Sequence, residues 1–274
     1  MRNKAGLTVR DAARGLEWSE TKMWRIETGQ ISLRSLDVEA MCRLYRVDAS
    51  TTEALMGLAR ETKAKGWWQA YGDAIPEYFD LYVGLEAAAA QMSILQSELV
   101  PGLFQTCDYA RVLIEADNPG VDPAEIERRV QLRMTRQALV RRPIDPPSIA
   151  VALNEAILRR PVGGAEVMAA QLSRLIEASQ FPNVSLRVVP FSVGFQPGIL
   201  SGSFTILRFP PDGSGEDSEP PTVYCDGYTG SLYLDKSHEI ERYSRAFSAI
   251  WDTALDDDDS RNFIEKAAEV LTNE

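Results

Sequence analysis

Apolar residues recur at helical spacing through the first quarter of the chain. Ala12, Ala13 and Leu16 share one face of a short segment, and Met23 and Ile26 share one face of the next, with a break at Glu17-Trp18-Ser19 between them. Ser19 has the side chain of an N-cap, and Gly29 can end the second helix in a left-handed conformation. After a loop over residues 30–34, a third helix is predicted over residues 35–45, with Leu36, Ala40, Met41, Leu44 and Tyr45 available to a core. A fourth starts at Thr52, with Leu55, Leu58 and Ala59 inward. Helices this short must close a common core to persist. The pattern therefore predicts an all-α headpiece over residues 1–65.

Residues 66–82 break that periodicity with Gly66, Gly72 and Pro76 among many aromatics, and read as an interdomain joint. Trp67, Trp68, Tyr71, Tyr78 and Phe79 need surfaces to bury against. Packing is the simpler reading of the two tryptophans, and ligand stacking the sharper one. The larger domain is then residues 83–274. Its first segment, Val83 to Ser97, carries the helix-forming run Ala87–Ala90 and reads as a helix. Pro101-Gly102 turns the chain, Thr106 can cap a helix from about Asp108, and Asp122-Pro123 opens a long helix over residues 124–142. That helix bears Arg128, Arg129, Arg133, Arg136, Arg141 and Arg142. They form either a solvated face that pairs with acidic neighbours or a partner or anion site.

From Pro146 the period shortens to that of strands. Ile149–Leu153, Val184–Phe191, Phe204–Phe209, Thr222–Tyr224 and Ser231–Leu234 are short and β-favouring. A helix from about Ala165 to Ser179 separates the first two, as a crossover between parallel neighbours requires. Pro210 to Pro221 is a polar excursion, and two helices, Lys236–Ala254 and Ser260–Thr272, close the chain with Asp256–Asp259 as the polar cap of the last. The fold class expected is α+β: an all-α N-terminal headpiece and a larger mixed α/β domain.

Charge sharpens the division. The net charge is −11, yet residues 1–65 carry a surplus of +3 and the remainder carries −14. The basic end is where a phosphate backbone would be met. No apolar run approaches the roughly 20 residues of a membrane span, and the N-terminus lacks a signal-peptide core, so a cytoplasmic protein is expected. Three scattered cysteines, Cys42, Cys107 and Cys225, argue against a disulfide framework or a zinc site. His238 is the lone histidine, which leaves no nucleophile with a base, and Gly163-Gly164 lacks the spacing and the lysine of a phosphate loop. No cofactor, no metal and no enzymatic activity are expected. The carboxylates placed beside turns or strand ends are Glu86, Glu98, Glu155 and Asp226. Glu86, Glu98 and Glu155, with Trp67 and Trp68, are the candidate partner- or ligand-binding residues of the larger domain.

Leu7-Thr8, Ala13, the Trp18-Ser19 turn and Arg25-Ile26-Glu27-Thr28-Gly29 together resemble the Xre-type helix-turn-helix repressors. The resemblance implies that Ser19, Glu20, Thr21, Lys22, Trp24 and Arg25 face DNA and that Thr8 touches a phosphate. By chemistry, Arg25 could be bidentate to guanine or hold a phosphate, and Lys22 offers a point charge. Two departures stand out. Glu17 occupies the turn position where the family usually has glycine, and only Met1 to Ala5 stand where it has a complete first helix, so a shortened first helix is expected.

The remainder has its own resemblance. Gly66-Trp67-Trp68, Val83-Gly84-Leu85-Glu86-Ala87, Val100-Pro101-Gly102-Leu103-Phe104-Gln105-Thr106, Tyr109-Ala110-Arg111, Arg136-Gln137, Asn154-Glu155-Ala156 and Val189-Pro190-Phe191 look like the C-terminal domain of a large group of actinobacterial regulators. That domain has no settled activity, and the genes of such regulators often sit beside one for a very small partner protein. Together the two resemblances imply a transcription regulator that binds a double-stranded operator as a homodimer, its larger domain taking a small partner protein or ligand. The alternative is a partner-sequestering, antitoxin-like protein that does not bind DNA.

Overall fold

The computed structural model describes residues 1–2, 5–27, 35–49, 51–53, 55–56, 77–143, 145–210, 220–227 and 230–272. The chain divides into two compact units, residues 1–70 and 71–274.

In the smaller unit, α1 (Val9–Gly15), α2 (Glu20–Glu27) and α3 (Ser35–Tyr45) surround Ala12, Ala13, Met23 and Tyr45. Thr8 caps α1 reciprocally: its hydroxyl accepts from the Asp11 amide at 3.1 Å and Asp11 reaches back to the Thr8 amide. The Thr8 hydroxyl also donates to the Asp11 carboxylate at 2.6 Å, and this bond, with the one from the Thr8 amide, holds the exposed Asp11 carboxyl below its usual range. The cap is therefore fully formed above the unfolded carboxyl range and is lost as pH falls through the folded value. The end of α1 is equally defined. Glu17 amide donates to Arg14 carbonyl at 3.2 Å and Trp18 amide to Ala13 carbonyl at 2.8 Å, the paired bonds of a Schellman stop. That stop requires a left-handed residue, and Glu17 supplies it with φ of 55°. Replacing Glu17 with glycine should stabilise the headpiece by about 0.5–1 kcal/mol by relieving the Cβ clash, measured by thermal unfolding. An unchanged or lower melting temperature would mean the turn is not strained.

One expectation for this unit needs adjustment. Leu36 is 72% exposed, while Val38 and Cys42 are buried, so the inward stripe of α3 runs through residues 38, 42 and 45. Before α1 the Ala5 amide donates to the Met1 and Arg2 carbonyls. Gly29 lies outside the described residues.

The larger unit opens with α4 (Glu77–Ala88), followed directly by strand β1 (Gln91–Gln96). The helix expected over Val83–Ser97 is therefore wrong in its second half, and residues 77–82, assigned to the joint, are the first turns of α4. The physical reason is pairing. Gln91–Gln96 is bonded on both edges, parallel to β2 (Ser148–Asn154) and antiparallel to β4 (Phe204–Arg208), which outweighs the local helix preference of the alanine run. β3 (Val184–Val189), β5 (Thr222–Gly227) and β6 (Gly230–Leu234) complete a six-stranded sheet of order β3-β2-β1-β4-β5-β6. The expected parallel crossover is present, with α8 (Ala165–Ala178) joining β2 to β3 after a short α7 (Glu155–Arg159). The arginine-rich helix α6 (Pro123–Arg136), reached from α5 (Cys107–Asp117), passes into a 3-10 segment over Gln137–Arg141.

Alternation in the strands makes two cores. Met92, Ile94, Ile149, Val151, Leu153, Leu186 and Val188 meet Leu172 and Leu175 of α8 and Ile264 of α10 (Asp257–Thr272) on one face. Leu95, Ala152, Phe204, Ile206 and Val223 meet Ile240, Phe247 and Ile250 of α9 (Ser237–Trp251) on the other. The edge of β3 is closed by the turn before α10: Leu255 amide donates to Val188 carbonyl at 2.9 Å, and Ser260 hydroxyl accepts from Val188 amide at 2.9 Å. Asp256 caps α10, accepting from the Asp259 amide at 2.8 Å.

Candidate functional site

At the N-terminal ends of α1 and α2 stand exposed polar side chains. Ser19 caps α2 by accepting from the Lys22 amide at 3.1 Å, and the residue is exposed. Glu20, in the first turn, is also exposed and sits 3.5 Å from the Arg10 guanidinium on α1. Lys22 is more constrained than the sequence suggested. Its Nζ lies 3.7 Å from the Trp18 ring centroid and 3.6 Å from the Asp37 carboxylate. Thr21, Trp24 and Arg25 stand on α2, and their side chains lie outside the described residues. Thr8, Ser19 and Glu20 thus share the exposed helix starts. Arg10 and Asp37 join them as ion-pair partners that periodicity could not reveal.

The larger unit is organised around a buried polar centre. Arg136, at the end of α6, donates from Nε to Glu86 Oε2 and from Nη2 to Glu86 Oε1, both at 2.8 Å. The two side chains are only 6% and 2% exposed. The guanidinium also lies 4.8 Å from the Phe79 ring and 5.5 Å from the Tyr82 ring. Burial alone would lower the Arg136 pKa, but the paired carboxylate outweighs it and holds the charge in place. Tyr82 is pushed well above the ordinary phenol range, first by burial and then by the Glu86 charge. From Tyr82 a ladder of rings continues to Tyr224 at 4.1 Å and Tyr233 at 5.2 Å.

Three glutamines extend this centre into the turn over residues 100–106. Gln105 donates to Val100 carbonyl at 2.7 Å, and Gln137 donates to Gln105 carbonyl at 2.7 Å and to Gly102 carbonyl at 3.1 Å. Gln171, fully buried on α8, donates to Phe104 carbonyl and accepts from Thr106 amide, each at 2.8 Å. Arg133 donates from Nη1 to Gln105 Oε1 at 2.8 Å. Burial and the neighbouring Arg136 push its pKa down to about 10, against the pull of Asp226 and Asp117.

The three candidate carboxylates do not behave alike. Glu86 is the buried partner just described, near the end of α4 and not at a helix start. Glu155 accepts from the Phe191 amide at 2.8 Å and from Arg159 at 3.2 Å, tying the end of β2 to the segment after β3. Glu98 is exposed and paired with Arg160 at 2.6 Å. Each is engaged with its own arginine. Trp67 and Trp68 lie outside the described residues. Of the six arginines read as one surface, Arg128 and Arg129 do pair with Glu125, while Arg136 is a core residue.

Two short capped helices across a Schellman turn, packed on a third, define the N-terminal unit as a helix-turn-helix domain, and a family model of that description matches residues 1–55. A second model, a domain of unknown function (DUF5753), matches residues 79–266, and the chain belongs to that family. No curated protein and no solved structure matches the chain. Among the described residues no helix is long and apolar enough to cross a membrane.

Proposed function

We propose that this protein is a sequence-specific transcription regulator of the Xre type. It binds a double-stranded operator through α2 and acts in the cytoplasm as a homodimer, with half-sites about 34 Å apart. The larger domain acts by binding, not catalysis: it takes a small partner protein or a small ligand and thereby controls DNA binding. The observation that supports this reading most is the α1–turn–α2 pair, whose Ser19 and Glu20 are exposed at the start of α2, where such helices meet base edges. The basic surplus of the first 65 residues agrees with it. A phosphate contact by Lys22 would replace its present Asp37 and Trp18 contacts.

If Arg25 reads a base, Arg25→Ala should weaken operator binding by about 1–3 kcal/mol and relax preference at one position. Fluorescence anisotropy on the DNA upstream of the protein's own gene measures it. Equal operator affinity in the variant would remove Arg25 from the interface.

A further inference from the structure

Arg133 and Arg136 sit one turn apart on α6 and face opposite situations. Arg136 spends its Nε–Nη2 edge on both oxygens of Glu86. Arg133 is tethered at Nη1 by Gln105, and among the described residues no carboxylate comes within ion-pair distance of it. Among the described residues nothing accepts from its Nε–Nη2 edge, and neither atom is sealed from solvent without a partner. The tether is itself rigid: Gln105 is 4% exposed and fixed to Val100 carbonyl, and the turn that carries it is clamped by Gln137 and Gln171. A half-buried guanidinium held in one orientation with its planar two-donor edge open is the geometry that recognises a carboxylate side-on.

We infer that Arg133 is a carboxylate receptor, the Nε–Nη2 edge taking both oxygens of a small carboxylate-bearing ligand. This rests on the reading that the larger domain takes a small ligand, and it names that ligand's anchoring group. The charge state agrees. Burial and Arg136 both work against the Arg133 cation, so an anion at this edge relieves what Asp226 and Asp117, not in contact with it, only partly offset. Asp226, exposed near Ser231 on the β5–β6 hairpin, offers an acceptor for a donor elsewhere on the same ligand.

The test is a titration of the full chain with sodium acetate, read on the Nε–Hε NMR signals of the arginine side chains, with sodium chloride at matched ionic strength as the control. Arg133 is assigned through bonds in the unaltered protein, so the result does not depend on a variant folding. The expected result is a saturable shift of the Arg133 signal with acetate alone, while Arg136, already paired, stays fixed. In Arg133→Lys, which keeps the charge and lacks the two-donor edge, affinity for acetate should fall roughly tenfold or more. An Arg133 signal unmoved by acetate, or moved equally by chloride, overturns the inference. No DNA is present in this experiment. In a separate operator-binding measurement, acetate without any effect on operator affinity would fault the proposed regulation and leave the receptor standing.

Discussion

Replacing Glu86 with alanine is expected to destabilise the larger unit by about 3–5 kcal/mol, the usual consequence of stranding one member of a buried ion pair. The size follows from burial. Arg136 is 6% exposed at its side chain, donates twice to Glu86 and is otherwise surrounded by the Phe79 and Tyr82 rings. Without the carboxylate, the guanidinium must stay charged in an apolar setting or drag water inward, and the ends of α4 and α6 lose the charged link between Arg136 and Glu86. Changing both residues at once, Glu86→Leu with Arg136→Met, should cost much less than the single change, because no uncompensated charge remains. Urea denaturation of the three proteins measures this as a double-mutant cycle. A single-variant loss below about 1 kcal/mol would mean that the pair is solvated and not a true buried bridge.

The second large effect is expected at Gln171. Its amide satisfies two backbone groups of the turn over residues 100–106, the Phe104 carbonyl and the Thr106 amide. Gln171→Met keeps the volume and removes both bonds, so the buried Phe104 carbonyl is left without a partner at about 1–3 kcal/mol and the part-buried Thr106 amide at less. The combined loss should be about 2–4 kcal/mol, with the amide of Thr106 exchanging with solvent sooner than its neighbours. Because the turn also holds Gln105, the same variant should free the Arg133 guanidinium, seen as line narrowing of its side-chain signal. Normal stability with an unchanged Thr106 amide would show that water replaces the glutamine without penalty.

Much of this architecture was legible in the sequence, and the gaps have physical causes. Caps were readable because they depend on neighbours: Ser19, Thr106 and Asp122 each accept the backbone N–H expected of them. The resemblance marked Glu17 as standing where the family usually has glycine, and the structure gives it the left-handed conformation with φ of 55°. The strands after Pro146 announced themselves through β-branched residues bounded by turn residues. The strand at the middle of the sheet did not. Gln91–Gln96 follows an alanine run and has Met92, Ile94 and Leu95 buried on both faces, so it lacks the alternation of a half-exposed strand. Only its two partners, 57 residues or more away in register, reveal it.

The candidate site divides in the same way. The polar starts of α1 and α2 come from local sequence and could be placed. Arg136 could not be separated from five other arginines, because its carboxylate lies 50 residues earlier in the chain. The same holds for Gln171, which meets its turn from 65 residues away. Glu86 and Glu155 stand out in the sequence as carboxylates beside turns or strand ends, and their geometry ties strands and helices together instead of converging on one spot.

The central claim is that the smaller unit reads a DNA sequence. Its most direct measurement is binding of the purified full chain to the DNA upstream of its own gene, against scrambled DNA of equal length, across a range of salt concentrations. The account predicts tighter binding to the upstream DNA by roughly a thousandfold or more, with affinity falling steeply as salt rises. Equal affinity for both DNAs, or no binding to either, would contradict it.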